Sequence, residues 1–276
     1  MPYLINTNGK EEVSIYYEDY GSGQPVILIH GWPLSAKAWE GQVPQIVDAG
    51  FRCIAYDRRG FGRSSAPWNG YDYSSLAADL NEIITQLGLD QAIIVGFSMG
   101  GGEVVRYMTD YGTDKLAKAA LISSIIPLVK KKDDNPNGVP QEDIDGIMEA
   151  VKTNRVGFLH DFNRNFYNYE DLKDRMSEQQ LHYDWSIASN ASPRATLKAA
   201  EAWADTDFRA ELQNVTVPTL IVHGDADHIV PIETAGKQAA EGIANNRFEI
   251  INNAPHGLNV THKDELNKIL LEFLRK

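Results

Sequence analysis

Short apolar segments alternate with helical stretches along most of the chain, and this alternation limits the fold more than any other feature. Six segments have the length of buried strands and are bounded by Gly, Pro, Asp or Asn: 26–29, 52–56, 92–95, 119–123, 219–222 and 247–251. Strands that are apolar on both faces are typical of parallel sheets covered by helices. Because crossovers between parallel strands are right-handed, the pattern predicts an α/β protein with a mostly parallel, doubly wound sheet.

Two helices and one further strand are predicted from local spacing. Segment 13–20 ends at a Gly-Ser-Gly turn and has the look of an antiparallel strand. Segment 76–87 carries apolar residues on one helical face, and Gly88 marks its end. Segment 266–274 has the same spacing, so a C-terminal helix is expected.

One long stretch breaks the alternation. Segment 127–214 contains helical pieces separated by loops and has no clear strand. We therefore expect three parts: 1–126 and 215–276 form the α/β core, and 127–214 forms a helical cap. In open α/β folds ligands bind at the carboxyl edge of the sheet, so the cap is expected to lie over that edge.

Composition excludes several classes of function. The chain has 276 residues and a formal net charge of −12, which disfavours nucleic acid as a partner because phosphates are bound chiefly by Lys and Arg. The single cysteine, Cys53, excludes an intrachain disulfide, and no thiol cluster suggests structural zinc. Neither a signal-like start nor a membrane-spanning apolar run is present, so a cytoplasmic protein without membrane contact is expected.

The strongest chemical signal is Gly-Phe-Ser-Met-Gly at 96–100, directly after a predicted strand and before a helical run. This is the G-x-S-x-G nucleophile elbow of the α/β-hydrolase fold, in which the serine sits on a tight strand-to-helix turn. The small glycines allow neighbouring backbone to pass where a Cβ would clash. The motif predicts Ser98 as a nucleophile.

A serine nucleophile needs a base, and the base needs a carboxylate. Among seven histidines, His256 is best placed, because it follows the last strand on a loop that ends at Gly257. His262 is expected to face solvent. Asp227 lies on the loop after strand 219–222 and is the predicted acid, whereas Asp225 is expected to bond local backbone as a turn residue. The order Ser, Asp, His is the one that this fold requires.

The same elements predict an oxyanion hole and an acyl pocket. The backbone N–H groups of Met99 and Trp32 are the expected donors, since Pro33 has none to give. Trp32, Phe97 and Ile229 are predicted to line an apolar acyl pocket, and core packing is the alternative for Phe97. His30 is expected to have a structural hydrogen-bonding role.

No cofactor or metal is expected from the motifs. Segment 57–64 follows a strand and contains two of the three glycines of a dinucleotide fingerprint. The third glycine is missing, so nucleotide binding is not predicted. A loop stabilised by Asp57 and its neighbouring arginines is the preferred interpretation.

Taken together, these motifs resemble the cofactor-free bacterial haloperoxidases, which are also described as perhydrolases or aryl esterases. The resemblance covers nearly the whole chain and is carried by segments 30–35, 56–64, 67–73, 96–103, 133–140, 224–231 and 254–257. It places the family's nucleophile, acid and base on Ser98, Asp227 and His256. A small departure is Ala226, where relatives often carry Gly.

The resemblance implies an esterase that forms an acyl-enzyme from a small ester or carboxylic acid. Transfer of the acyl group to water gives hydrolysis, and transfer to hydrogen peroxide gives a peracid that can oxidise halide. Relatives often assemble into symmetric oligomers, so a homo-oligomer is within what the resemblance allows. Lactonase, amidase or carbon–carbon bond hydrolase activity with the same triad stays open. So does a ligand receptor with slow turnover on the same fold.

Overall fold

The computed structural model describes residues 2–7 and 11–276, and within them eight strands form one sheet. The strands are β1 (Tyr3–Asn6), β2 (Val13–Tyr20), β3 (Pro25–Ile29), β4 (Arg52–Tyr56), β5 (Ala92–Phe97), β6 (Leu116–Ile122), β7 (Thr219–Gly224) and β8 (Asn246–Ile251). Their order in the sheet is β1-β2-β4-β3-β5-β6-β7-β8. All strands from β3 onward pair in parallel, whereas β1 and β2 are antiparallel.

The predicted α/β class and mostly parallel sheet are therefore confirmed. The prediction missed β1, a four-residue edge strand with mostly exposed or half-buried side chains, because such a strand leaves little apolar signal. It also placed the strand predicted at 119–123, which is β6, too late in the sequence. β6 begins three residues earlier and ends at Ile122, because Ser123 leaves the strand in a left-handed conformation (φ 41°).

The helices cover the sheet in two groups. α2 (Tyr73–Gln86) packs against α3 (Gly100–Tyr111) near β5, and α1 (Val43–Asp48) packs against α9 (Lys263–Arg275) near β4 and β7. This arrangement buries every residue of β5, as expected for a central parallel strand. The helices are α1 (Val43–Asp48), α2 (Tyr73–Gln86), α3 (Gly100–Tyr111), α4 (Gln141–Phe166), α5 (Glu178–Asn190), α6 (Pro193–Asp205), α7 (Gly236–Gly242), α8 (Leu258–Thr261) and α9 (Lys263–Arg275), with 3-10 turns at Ala36–Trp39 and Arg209–Asn214.

None of the helices in the described part of the chain is long and apolar enough to cross a bilayer.

Both helices predicted from spacing are present. α2 begins after Asp72, whose carboxylate accepts a hydrogen bond from the backbone N–H of Ser75 at 2.9 Å, an N-cap contact. It ends before Gly88, which has a positive φ of 60°.

The chain between β6 and β7 folds into α4, α5 and α6. α4 is interrupted at Asn154, whose backbone leaves the helical region (φ −149°, ψ 65°). The side-chain oxygen of Asn154 accepts a hydrogen bond from the N–H of Gly157 at 3.2 Å and so caps the second half of the helix. The interruption divides α4 into two differently placed pieces.

The turn from β5 into α3 is packed so closely that two positions admit no side chain. A Cβ on Gly96 would lie 2.5 Å from the carbonyl oxygen of Gly100. A Cβ on Gly100 would lie 2.5 Å from the carbonyl oxygen of Ile29, at the end of β3. Both obstacles are backbone atoms, which cannot rotate away. The turn therefore depends on glycine on both sides of Ser98.

A buried ion pair joins α3 to the loop after β4. Glu103 is fully buried and binds Arg58, which is also buried, while the hydroxyl of Tyr56 donates to the second carboxylate oxygen of Glu103 at 2.6 Å. Burial raises the pKa of Glu103. Arg58 also donates to the carbonyl of His30 at 2.6 Å, so the pair extends to the loop after β3.

Asp57 organises the loop that follows β4. Its carboxylate accepts hydrogen bonds from the backbone N–H groups of Ala36 and Arg63, both at 2.8 Å. Gly62 has a φ of 53°, and a Cβ there would collide with the Asp57 carboxylate. These contacts agree with the interpretation of segment 57–64 as a structural loop.

We expect Glu103→Gln to lower the free energy of unfolding by about 3–5 kcal/mol, because the charge of Arg58 would stay buried without its partner. Urea unfolding followed by circular dichroism measures this loss. Glu201→Gln is the control, since its pair with Lys198 is over a third exposed on both sides and should contribute no more than about 1 kcal/mol. Equal losses of unfolding free energy in the two variants would contradict the claim that Glu103 compensates the buried charge of Arg58.

We expect Gly96→Ala to destabilise the protein by about 1–3 kcal/mol or more, because the new methyl overlaps the Gly100 carbonyl. Gly146→Ala in α4 should act in the opposite sense. A Cβ there meets nothing within 4 Å, and alanine is favoured in a helix by about 0.5–1 kcal/mol. Thermal melts of both variants test the pair, and stabilisation by Gly96→Ala would refute the packing argument.

Candidate active site

Three strands deliver the predicted triad to one edge of the sheet. Ser98 follows β5, Asp227 lies on the loop after β7, and His256 lies on the loop after β8. Because the strands are parallel, their carboxyl ends meet at the same edge. Ser98 and Asp227 are each 5% exposed and His256 is 1% exposed, so all three residues are buried.

Ser98 has a strained backbone that the surrounding hydrogen bonds hold in place. Its φ of 52° lies in the left-handed region, which is unfavourable for a residue with a side chain. Its N–H donates to the carbonyl of Ile122 at 2.9 Å. Its carbonyl accepts from the N–H groups of Gly101 at 3.0 Å and Ile125 at 3.3 Å. The turn thus points the hydroxyl away from the sheet.

His256 connects the other two side chains. Its Nε2 lies 2.8 Å from the Ser98 hydroxyl oxygen, and its Nδ1 lies 2.7 Å from Oδ2 of Asp227. The ring packs edge-on against Phe166, with centroids 4.7 Å apart. A carboxylate on Nδ1 requires the proton there, which leaves Nε2 free to accept the serine proton.

Asp227 is a carboxylate with a full set of donors. Oδ1 accepts from the backbone N–H groups of Ile229 at 3.0 Å and Val230 at 2.8 Å. Oδ2 lies beside the imidazoles of His256, at 2.7 Å, and His223, at 3.2 Å. Burial alone would raise the pKa of Asp227, but the two imidazoles outweigh it and hold the pKa below its usual range. The group is charged at neutral pH.

Asp225 ties the loop that carries the acid to the loop that carries the base. Its carboxylate accepts a hydrogen bond from the N–H of Asn253 at 2.6 Å. The N–H of Ala226 donates to the carbonyl of Ala254 at 3.1 Å. The expectation of a local turn contact for Asp225 is thus wrong: the partner is 28 residues away along the chain.

The C-terminal end of α4 also reaches both loops. Asn168 donates from its side-chain amide to the carbonyl of Ala226 at 2.8 Å. The N–H of Gly257 donates to the carbonyl of Phe166 at 2.9 Å. Asn168 has a φ of 46°, a conformation that asparagine tolerates better than most residues.

The two predicted oxyanion donors flank Ser98. Met99 is the residue before α3, and Trp32 follows Gly31, whose Cβ would stand 3.0 Å from the Cβ of Ser98. Within the described residues, neither the N–H of Trp32 nor that of Met99 has a hydrogen-bond acceptor. Two free N–H groups beside a nucleophile are what binding of a developing oxyanion requires.

A cavity of about 520 Å³ opens above Ser98 and His256. Its wall is formed by loops of the sheet edge together with α4 and α6, and its mouth is polar and exposed. The apolar wall consists of Trp32, Ile125, Val139, Pro140, Ile147, Phe158, Phe162, Trp203, Ile229, Val230 and Pro231. The polar residues at the mouth are Asn137, Asp143, Asp161, Asn165 and His228.

Two of the three predicted pocket residues line this cavity. Trp32 forms edge-on contacts with Phe162 and Trp203 and donates from its indole to the carbonyl of Thr196 at 2.8 Å. Ile229 lines the cavity from the loop that carries Asp227.

Phe97 departs from the prediction. It is fully buried and does not line the cavity, because its side chain points behind the nucleophile and packs against Trp39 and the ring of His256. Its role is the core packing that was the alternative. Its ring packs against the imidazole of His256, with centroids 5.5 Å apart.

The remaining histidines lie outside the proton path from Ser98. His30 is buried and accepts the N–H of Arg58 at 3.0 Å, in line with its expected structural role. Burial and Arg58 lower the pKa of His30 well below its usual value. His262, the residue between α8 and α9, is buried and contacts the hydroxyl of Thr261, so the expectation that it faces solvent is wrong. The contact of His223 with Asp227 was not predicted from the sequence.

Other candidate sites are weaker. Within residues 2–7 and 11–276, no group of three or more His, Cys, Asp and Glu side chains is arranged to hold a metal ion. A larger groove of about 740 Å³, lined by Lys37, Glu40 and Arg175 among others, contains none of the triad residues. Chemistry is therefore assigned to the smaller cavity.

Comparisons with known proteins agree with the fold. The model of the alpha/beta hydrolase fold matches residues 24–263. A putative non-heme chloroperoxidase of Synechocystis sp. is 45% identical, and a bifunctional esterase/perhydrolase of Acinetobacter calcoaceticus is 38% identical; each match covers all of both chains.

Among solved structures, a bromoperoxidase from Bacillus anthracis has a TM-score of 0.95 and 45% identity, over 99% of this chain and 100% of that one. The fold, the arrangement of the triad and full-length similarity to these enzymes lead to one classification. The chain belongs to the α/β-hydrolase family and, within it, to the non-heme chloroperoxidases and their esterase/perhydrolase relatives.

Proposed function

We propose that this enzyme is a serine esterase that forms an acyl-enzyme at Ser98 and passes the acyl group to water or to hydrogen peroxide. The observation that carries the proposal is the continuous contact from the Ser98 hydroxyl through His256 to Asp227, at 2.8 and 2.7 Å. The names of the relatives, which include chloroperoxidase and esterase/perhydrolase, support the choice of reaction.

In the first half-reaction the Ser98 oxygen attacks the ester carbonyl while His256 takes its proton. Asp227 stabilises the imidazolium that results. The carbonyl oxygen becomes an oxyanion that accepts hydrogen bonds from the N–H groups of Trp32 and Met99. When the tetrahedral intermediate collapses, His256 returns the proton to the departing alkoxide, and the acyl group stays on Ser98.

In the second half-reaction His256 removes a proton from the incoming nucleophile. Water gives the carboxylic acid, and hydrogen peroxide gives the peracid; in both cases the proton returns to Ser98. The peracid then oxidises bromide or chloride to hypohalous acid in solution and is itself reduced to the carboxylic acid. Halide oxidation thus follows from acyl transfer and needs no further group on the protein.

We further propose that segment 127–214 acts as a cap over a core formed by 1–126 and 215–276. Support comes from the cavity wall, because α4 and α6 supply Ile147, Phe158, Phe162 and Trp203. The cap then selects the acyl group, while the core performs the chemistry.

The cavity favours neutral, apolar acyl groups. No lysine or arginine is found among its lining residues, whereas two carboxylates, Asp143 and Asp161, lie at its mouth. An acyl chain that ends in a carboxylate would bury a charge against apolar side chains without a partner, which is costly. We therefore propose neutral esters as the preferred acyl donors.

We expect Ser98→Ala to abolish the hydrolysis of 4-nitrophenyl acetate, peracid formation with added hydrogen peroxide, and bromination of a reporter when bromide is also present. All three activities require the acyl-enzyme. Asp227→Asn should reduce kcat by about 10⁴-fold, because the histidine then takes the wrong tautomer. Nitrophenolate release, peracid titration and reporter bromination measure the three activities.

The outcomes of these assays test the esterase, perhydrolase and acyl-enzyme parts of the proposal separately. Esterase activity without peracid would contradict the perhydrolase part of the proposal and leave the triad in place. Bromination that survives in Ser98→Ala would contradict the acyl-enzyme route altogether. A wild-type enzyme that is not acylated would exclude the esterase assignment.

We expect the 4-nitrophenyl monoester of succinic acid to have a kcat/KM at least about 100-fold below that of methyl 4-nitrophenyl succinate, because only the former brings a charge into the cavity. The methyl ester is the matched control, since it has the same chain without the charge. Ile147→Lys, which adds a cation to the cavity wall, should reduce the difference in kcat/KM between the two esters. Equal kcat/KM values for the two esters would contradict the proposed selectivity.

A further inference from the structure

His223 is a second imidazole in contact with Asp227. It lies in β7 and is fully buried. Its Nε2 is 2.9 Å from the carbonyl oxygen of Val230 and 3.2 Å from Oδ2 of Asp227. Oδ2 is also the oxygen that lies 2.7 Å from Nδ1 of His256. Two imidazoles therefore share one carboxylate oxygen, and only one of them touches Ser98.

The surroundings of His223 determine its tautomer. Both oxygens beside Nε2 are acceptors, so Nε2 carries a hydrogen. Nδ1 is buried and has no hydrogen-bond partner in the part of the chain that the structure describes. A protonated ring would bury an unsatisfied N–H at Nδ1, whereas the neutral ring leaves only an unused acceptor there. We therefore assign the neutral tautomer with hydrogen on Nε2.

His223, Val230 and Asp227 form a closed set of contacts. The N–H of Val230 donates to Oδ1 of Asp227 at 2.8 Å, and the carbonyl of the same residue accepts from His223. The backbone of Gly236 lies close to the His223 side chain, since a Cβ built there would stand 3.1 Å from Nδ1. These contacts leave the ring little room and restrict rotation of the carboxylate.

We propose that His223 is a positioning residue for Asp227: it keeps Oδ2 directed at His256 through its contact with that oxygen and through the Val230 peptide. This inference rests on the proposed function, since it assumes that Asp227 serves His256 in the reaction. The titratable side chains against Asp227 are the two imidazoles. His223 itself does not line the cavity and does not contact substrate.

The test compares two amides that differ by one methylene. In His223→Gln the amide nitrogen can occupy the position of Nε2, whereas in His223→Asn it reaches only the position of Nδ1. We expect His223→Asn to lower kcat for a neutral ester by about 10- to 100-fold with KM unchanged, the range typical of groups that orient a functional histidine. His223→Gln should recover most of that loss.

A pH profile distinguishes positioning from loss of folded protein. If Asp227 is no longer held, it stabilises the His256 imidazolium less, so the acid limb of kcat/KM should move to lower pH in His223→Asn. A structural defect would reduce the active fraction, measured by titration with a phosphonate inhibitor, and leave the limb in place. His262→Phe replaces a buried histidine away from Asp227 and should keep kcat within about twofold, as expected for a site outside such a network.

Two results with the variants would overturn the proposal: an unchanged kcat in His223→Asn, or a loss of kcat that the active fraction explains fully, with no shift of the acid limb. A measurement on the wild type covers the case in which neither variant folds. ¹⁵N NMR of labelled histidine should show His223 neutral with hydrogen on Nε2 around neutral pH, and the Nδ1 tautomer or a charged ring would refute it. This readout needs no turnover, so it stays separate from the test of the esterase proposal.

Discussion

The strained turn at Ser98 is the constraint on which the rest of the site depends. The central parallel strand β5 passes directly into α3, and the turn between them places Ser98 at a positive φ. Such strain persists because the surroundings leave no alternative. Gly96 and Gly100 bring the backbone of β5, α3 and β3 within contact, and the N–H of Ser98 is bonded to the neighbouring strand. The backbone of the turn therefore sets the direction of the Ser98 hydroxyl.

The loops around this turn are held by buried polar contacts rather than by apolar packing alone. Arg58 and Glu103 join the helix after the nucleophile to the loop that carries Trp32, so both groups beside the expected oxyanion belong to one hydrogen-bonded unit. Charges buried in this way contribute little net stability, but they fix relative positions because every member needs its partner. Asp227, with donors on both oxygens, follows the same rule.

The sequence predicted the parallel sheet, the order of the triad and the residues that the structure brings into contact, because each of these leaves a local pattern. Strand, turn and helix at 92–111 are consecutive, and so is the loop that precedes His256. The contacts that local patterns could not predict join distant segments: Asp225 with Asn253, and Arg58 with Glu103. Phe97 was misplaced because adjacency to Ser98 does not say on which side of the turn a ring lies. The contact of His223 with Asp227 was also beyond local patterns, because it is set by the path of the loop that follows β7.

The C-terminal end of α4 lies beside both the cavity and the loops of the acid and the base. The helix supplies Phe158 and Phe162 to the cavity wall, and the carbonyl of its last residue, Phe166, accepts a hydrogen bond from the loop of His256; Asn168, two residues beyond the helix, donates one to the loop of Asp227. The cavity wall and the contacts to both loops thus belong to one continuous segment, 158–168. A bulky acyl group that pushes α4 outward would also pull on the loops of the acid and the base. If the cavity binds the acyl group as proposed, substitutions on the inner face of α4 are expected to change kcat as well as KM.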